Sequence, residues 1–335
     1  MMVFRDEGQR RAKTAPMPPG RQSPFGTAGA FSAPPGPRID PTSPLGYYVD
    51  LRSKAVSPEL PPEWYPRVDS LPHVVMTQWG LACHEHYLAG EGETWLTAAR
   101  WAADRLLEKQ EDSGPQAGGW VNRSPYKHTY RLRPPWLSGM AQGQGASLLV
   151  RLHRETGEER YAEGAISALA PMWKTPGDGG VAARLGGGWL PEEYPTDPPS
   201  HVLNGAIFGI WGAHDVSLAL GHERAGELAA DGIATLAASL ERYDTGAWSR
   251  YDLFPHPTVH LASPMYHQLH INQLRAMTAI SEDLRFPATA ARFEGYAASR
   301  GNVARAYAHK VAFRLMVPRN RWLAHRLPWN RDRGR

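Results

Sequence analysis

Residues 189–205 read Trp-Leu-Pro-Glu-Glu-Tyr-Pro-Thr-Asp-Pro-Pro-Ser-His-Val-Leu-Asn-Gly. Two carboxylates and a phenol, Glu192, Glu193 and Tyr194, stand between Pro191 and Pro195. Helices rarely run into a proline, so these three side chains belong to a loop fixed at its far end. An acid and a phenol on a rigid loop, just ahead of a long apolar helix, suit proton transfer. A tight surface turn with a solvated Glu-Glu pair is the competing reading.

Three further blocks decide between them. Upstream stands Pro135-Trp136-Leu137-Ser138-Gly139-Met140-Ala141-Gln142-Gly143-Gln144. Downstream stand Tyr243-Asp244-Thr245-Gly246-Ala247-Trp248-Ser249-Arg250-Tyr251-Asp252-Leu253 and Tyr266-His267-Gln268-Leu269-His270-Ile271-Asn272-Gln273-Leu274. In this order and at these spacings the four blocks resemble the C-terminal catalytic domain of the D-glucuronyl C5-epimerases, over roughly residues 70–300. That family converts D-glucuronate to L-iduronate within heparosan or heparan-type chains.

The resemblance implies an all-α fold, an incomplete (α/α) toroid, and an acidic, glucuronate-containing polysaccharide as partner. Motif by motif, it places the acid–base pair on Glu193 and Tyr266, with Tyr194 and Tyr251 polarising the substrate carboxylate or relaying protons. The chemistry is consistent with those residue types. The C5 proton lies α to a carboxylate that resists a second negative charge, so the reaction needs donors, a base on one face and an acid on the other. Proton exchange needs no redox partner, and no glycine-rich nucleotide loop follows a predicted strand, so no cofactor is expected.

At one point the sequence departs from the family. Animal members follow Tyr-Asp-Leu with Arg-His, whereas here Phe254-Pro255-His256 follow. Arg250, His256 or Arg184 could supply the missing cation. Substrate-binding candidates also include Trp136 for stacking, the amides of Gln142, Gln144, Asn204 and Asn272, and His267. Capping and inter-helix bonding compete for the amides, Gln144 and Asn204 above all. His84 and His86 face different directions on one helix. His267 and His270 share a face but lack a third ligand, so no catalytic metal is expected.

The elements that must position these residues are legible as a repeat. Helices are predicted over roughly 73–89, 95–111, 137–155, 159–173, 201–220, 223–241, 264–281 and 287–299. Trp120, Trp189 and Trp248 each follow a glycine-rich turn, and Trp95, Tyr161, Ala225 and Phe286 open the second helix of each pair. Each pair buries its apolar stripe only against its neighbours, as helical repeats do. About four helical hairpins closing on one another give the toroid. The long loop after each second helix then emerges on one face, so residues 118–136, 184–204 and 243–270 converge on one cleft.

Outside that unit, residues 1–44 are rich in Pro, Gly, Ser and Ala and read as disordered. Residues 45–70 read as an extended arm with one strand near Gly46–Leu51, and 71–300 as the catalytic unit. Residues 301–335 form a basic helix or tail; from Arg300 onward ten Arg or Lys face one acid, Asp332. That segment reads either as a contact for an acidic polymer or, through Val311, Phe313, Leu315 and Met316, as a last helix packed on the toroid.

With 335 residues the chain is long enough for one such toroid. Its single cysteine, Cys83, precludes an intrachain disulfide and fits a reducing compartment. Residues 1–20 lack the apolar run of a signal peptide and no stretch is long enough to span a membrane, so a cytoplasmic location is expected, or a Golgi one for a eukaryotic-type relative without its anchor. Nucleic acid is not an expected partner, and a homodimer is left open. Two other function classes compete. One is a polysaccharide lyase or hydrolase on a uronate polymer, the other a non-catalytic module binding acidic glycans.

Overall fold

The computed structural model describes residues 36–37, 46–59, 73–127 and 129–318. The expected disorder of the first 44 residues, most of the proline-punctuated arm beyond Glu59, and residues 319–335 of the basic tail lie outside the described residues, apart from Gly36–Pro37.

The expected hairpins are present. Helices α1 (His73–Leu88) and α2 (Glu93–Lys109) form the first, α3 (Gly139–Thr156) and α4 (Glu159–Ala168) the second. The third is α5 (Leu203–Leu220) with α6 (Glu223–Ser239), and the fourth α7 (Pro264–Met277) with α8 (Arg285–Ala298). A ninth helix, α9 (Arg300–Met316), follows directly. The inner helices α1, α3, α5 and α7 pack in that order, each backed by its hairpin partner. The result is an incomplete α/α toroid.

The inner helices are apolar all round: almost every residue of α3 from Gly139 to Leu152 is buried. The outer ones are amphipathic, as α2 shows by burying Trp95, Ala98, Ala99, Ala102, Ala103 and Leu106. Trp95, Tyr161, Ala225 and Phe286, the residues that open the outer helices, are all buried.

Close approach of α3 to α5 needs glycine. A Cβ on Gly143 would lie 2.3 Å from the Phe208 carbonyl and 2.5 Å from the Gly209 Cα, and one on Gly212 would meet Gly143. Cys83 is fully buried on α1, and burial pushes its thiol up, so it behaves as an inert core group.

The arm closes one end of the toroid. Strand β2 (Val49–Asp50) pairs with β1 (Gly36–Pro37), and the residues before it reach the last turns of three inner helices. The Gly46 carbonyl accepts from Arg151 of α3, the Tyr47 amide donates to Glu85 of α1, and the Tyr48 hydroxyl donates to Asp215 of α5. Tyr48 stacks on Trp211 at 4.4 Å, and Arg151 and Asp215 form a buried ion pair at 2.6 Å.

At the opposite end, where the inner helices begin, three long loops gather: 110–138, 169–202 and 240–263. Each carries short pairing the repeat did not reveal. Strands β3 (Tyr126–Lys127) and β4 (Arg131–Leu132) form a hairpin, as do β5 (Ala182–Leu185) and β6 (Gly188–Pro191). Backbone bonds stitch the loops to helix starts and to one another: Gly139 N to Glu192 O, Leu203 N to Tyr251 O and Leu253 N to Ser200 O.

Helix α9 differs from its sequence expectation in part. Phe313 packs inward, but Val311 and Leu315 are 63% and 71% exposed, so the helix docks along one narrow stripe. No helix among the described residues is long and apolar enough to cross a membrane.

The glycine contact between α3 and α5 gives a direct test. Gly143→Ala must push two backbones apart, and should lower unfolding free energy by about 3 kcal/mol. Chemical denaturation of the two proteins checks this, with an unaltered midpoint as the contrary outcome.

Candidate active site

Glu192 and Glu193 follow directly on β6, and their side chains meet different partners. Glu192 turns into the protein and is fully buried. It accepts from the Ser200 amide at 2.8 Å, the Ser200 hydroxyl at 2.6 Å and the His201 amide at 3.0 Å. Those bonds clamp the two ends of the proline-rich loop together. His201 itself sits at φ 46°, just before α5 begins.

Glu193 faces the first turn of α5. A Cβ on Gly205 would lie 2.5 Å from its Oε2, and Asn204 Nδ2 donates to that oxygen at 3.4 Å. Burial pushes the Glu193 carboxyl up to about 7, with the Glu192 and Asp252 charges adding to the effect; hydrogen bonds from Tyr194 and Asn204 pull the other way. It is a carboxylate poised to take or give a proton near neutrality.

Around it stand five phenols from all three loops and one helix start. Tyr194 stacks on Tyr126 at 4.8 Å and lies tilted against Tyr130 at the same distance. The Tyr126 hydroxyl donates to that of Tyr194 at 3.3 Å. Tyr251 meets Tyr266 edge to face at 4.9 Å. Burial pushes the phenols of Tyr130, Tyr194 and Tyr251 well up, so they stay protonated as donors. Tyr266 lies in the first turn of α7, where Ser263 caps the helix by accepting from the Tyr266 amide.

A third carboxylate, Asp252, is also fully buried. Its Oδ2 accepts from the Tyr130 hydroxyl, from His260 Nδ1 at 2.6 Å and from His256 Nε2 at 3.3 Å. The bonds from the two imidazoles hold Asp252 at about 2 against the opposing effect of burial. Asp252, His256 and His260 are also the one group of three metal-type ligands found among the described residues, their ligand atoms within 4.8 Å of one another. The Asp-x3-His-x3-His spacing that produces it was visible in the sequence and is that of one helix face, but Pro255 and Pro257 place it in a loop.

The remaining candidates divide. Trp136 is at the site: its ring lies 5.8 Å from Tyr126 and 6.3 Å from Tyr194, and its Nε1 donates to Ser124 O. It lines two cavities, of about 530 Å³ beside Asn122, Arg123 and Tyr126, and of about 790 Å³ beside Tyr130, Arg131 and Arg133. Asn204 is at the site through Glu193, and His256 through Asp252. Arg250 adjoins Tyr251, its backbone bonded to Tyr243 and bridged to Leu261. Asn272 is half-buried, one or more turns along α7 from Tyr266, and accepts from Gln268.

Four candidates make their contacts away from the ring of phenols. Gln142 is fully buried and commits its amide to the Trp120 N–H and the Gly118 and Ala168 carbonyls. Gln144 is buried between α3 and α1, where Thr77 donates to it. His267 stacks on Trp248 at 3.8 Å and bonds Phe293 O on α8, on the outer side of α7. Arg184 is exposed on the β5–β6 hairpin, its guanidinium 5.1 Å from the Trp189 ring centre. His267 and His270 do share a partner, the Ser249 hydroxyl. Tyr126, Tyr130 and His260 were not singled out from the sequence. Tyr126 and Tyr130 lay within a loop predicted to line the cleft, and their four-residue spacing across a turn was the available signal.

Comparison with known proteins agrees with this geometry. Residues 113–295, which hold all of the site loops, match the family described as D-glucuronyl C5-epimerase C-terminus. The D-glucuronyl C5-epimerase of Caenorhabditis elegans is 35% identical over 215 residues, 58% of this chain and 34% of the worm protein. An uncharacterised protein of Methanocaldococcus jannaschii is 29% identical over 133 residues, 38% of this chain and 42% of its own. This chain thus spans less than half the length of the curated relatives it matches. Among solved structures, the unsaturated glucuronyl hydrolase of Bacillus sp. GL1 superposes with a TM-score of 0.45 at 18% identity, over 73% of this chain and 64% of that one. With more than half of its length matching the family, including every loop that builds the site, the chain belongs to the D-glucuronyl C5-epimerase C-terminus family.

Proposed function

We propose that this chain is an isomerase that inverts C5 of D-glucuronate, giving L-iduronate, within an acidic polysaccharide of heparosan or heparan type. Glu193 carries the proposal: a buried carboxyl held up to about 7 inside a ring of phenols, in a chain of this family. Ionised, it abstracts the C5 proton from one face. Tyr266 returns a proton on the other, while Tyr194 and Tyr251, as protonated donors, hydrogen-bond the substrate carboxylate as it becomes an enediolate. The first turn of α5 beside Glu193 favours the ionised form when the proton has left. The polymer passes Trp136, where stacking supplies affinity and Arg123, Arg131 and Arg133 add positive charge at the flanking cavities.

Hydrolysis fits the site less well. It needs a second working carboxylate across the glycosidic bond. Glu192 and Asp252 are both occupied by three donors. A lyase would share the C5 abstraction and then expel the C4 substituent, leaving an unsaturated product that absorbs in the ultraviolet.

Incubation with heparosan in deuterated water should place deuterium at C5 and generate iduronate with chain length unaltered, as read by NMR. Uptake by none of several glucuronate polymers would refute the reading, and an ultraviolet-absorbing product would replace it with the lyase. Glu193→Gln and Tyr266→Phe should each lower exchange by roughly a thousandfold, within the range for loss of a general acid or base, with polymer binding retained.

The pH dependence follows from the same carboxyl. A base must be ionised, so kcat/KM should rise with pH, about tenfold per unit, and level off near 7. Stability runs the other way. Folded Glu193 keeps its proton to about 7, whereas an unfolded glutamate loses it near about 4.3. Between those values the folded state binds more protons, so rising pH costs stability, fully so above 7. Glu193→Gln should therefore melt at a higher temperature than wild type at pH 8, and the gap should close near pH 4. A gap independent of pH would show that Glu193 titrates normally.

A further inference from the structure

Helix α9 enters the back of the site. Its Phe313 ring lies on the His260 ring at 4.1 Å, within 3° of parallel. Its Lys310 Nζ is 3.1 Å from His260 Nε2 and 3.3 Å from Leu261 O, and Arg314 donates to Thr129 Oγ1 at 3.1 Å. Two of the basic residues that the sequence offered to an acidic polymer are therefore turned into the protein's own loops.

An ammonium offers donors and no acceptor. His260 Nε2, facing it, is an acceptor, so the ring carries its proton on Nδ1. That proton points at Asp252 Oδ2, 2.6 Å away. Donor-only Lys310 on Nε2 and acceptor-only Asp252 on Nδ1 together leave the ring one arrangement, with its proton on Nδ1. The same reasoning speaks against a metal ion at Asp252, His256 and His260. An ion on Nδ1 would leave the ring's other N–H aimed at an ammonium, where ligating histidines place a carboxylate, carbonyl or water.

His260 and Asp252 then reach the phenols directly. The His260 carbonyl accepts from the Tyr251 amide at 2.7 Å, and the two rings pack at 5.0 Å. Asp252 takes the Tyr130 hydroxyl, and the Tyr130 ring lies against Tyr194.

We propose that Lys310 is a positioning residue of the active site: lodged on Nε2, it holds His260 as a one-way donor to Asp252, and this pair sets Tyr130 and Tyr251 against the reacting phenols. The catalytic consequence rests on the epimerase reading, whereas the state of the His260 ring does not.

Lys310→Met keeps the length of the side chain and removes its charge; Lys310→Arg keeps the charge. Ring-nitrogen NMR on the full chain at pH 7 should show His260 as the Nδ1–H form in wild type and Lys310→Arg. In Lys310→Met that single form should be lost, as the ring turns or gains a second proton. With heparosan, kcat for C5 exchange should fall on the order of ten- to a hundredfold in Lys310→Met, with KM within about twofold, and Lys310→Arg should recover most of it. An unaltered His260 spectrum in Lys310→Met would overturn the proposal. So would a raised KM with flattened salt dependence and unaltered kcat, which marks Lys310 as a polymer contact. One-to-one zinc binding by wild type that shifts the His256 and His260 signals together would overturn it as well. Wild type with no C5 exchange would sink the epimerase reading alone, leaving the ring spectrum to judge the brace.

Discussion

A buried carboxylate must be met by donors, and the site depends on how Glu192 is met. Removing its three hydrogen bonds would leave an uncompensated charge in the interior, at a cost of several kcal/mol. The Ser200 and His201 groups that prevent this lie eight and nine residues along the chain. The proline-rich stretch between them is thereby closed into a fixed loop, and the start of α5 is tied to the end of β6. With Glu192 enclosed by the loop, Glu193 is left against the first turn of α5. Two adjacent, chemically identical side chains are sorted into a strut and a titrating group by which one the loop encloses.

The same division runs through the rest of the cleft. Among the three carboxylates, Glu192 and Asp252 each accept three hydrogen bonds, whereas Glu193 is met by Asn204 and Tyr194. The imidazole bonds hold Asp252 low, whereas burial pushes Glu193 up to about 7. The neighbouring Glu192 and Asp252 charges raise its proton affinity further, since like charges oppose ionisation. The phenols complete the arrangement. Deep burial keeps them protonated, so they are hydrogen-bond donors that add no negative charge beside Glu193.

Much of this was legible in the sequence because helical repeats announce themselves. Apolar periodicity located eight helices to within a few residues, and the residues that open each outer helix, Trp95, Tyr161, Ala225 and Phe286, are core residues as the repeat requires. Hairpin topology then sent the long loops to one end. What stayed hidden was set by contacts between loops distant in sequence. Nothing in the Gln142 block states that its amide is consumed by Trp120, Gly118 and Ala168. His267 and Tyr266 are neighbours, yet helical geometry turns one to the outer layer and the other to the cleft. The β3–β4 hairpin is too short to show a period, so Tyr126 and Tyr130 were placed only within a cleft-lining loop and not against Tyr194.

The two ends of the toroid are closed by different means, and the difference bears on function. The arm seals the end where the inner helices finish, with the Arg151–Asp215 pair, Tyr47 and Tyr48 filling the space between α1, α3 and α5. Its contacts are to helices, so its effect is on the frame. Helix α9 meets the other end, and its contacts are to loops: Phe313 and Lys310 on His260, Arg314 on Thr129. Loops are the part of a toroid that the repeat does not fix, since their backbones are held only by what surrounds them. Long-range bonds such as Tyr130 to Asp252, spanning 122 residues, exist only while both loops keep their places. A helix laid across those loops restrains them, and its last residue, Met316, reaches the wall of the cavity beside Tyr130. The repeat therefore supplies the scaffold, and the segment after it adds restraint on the loops.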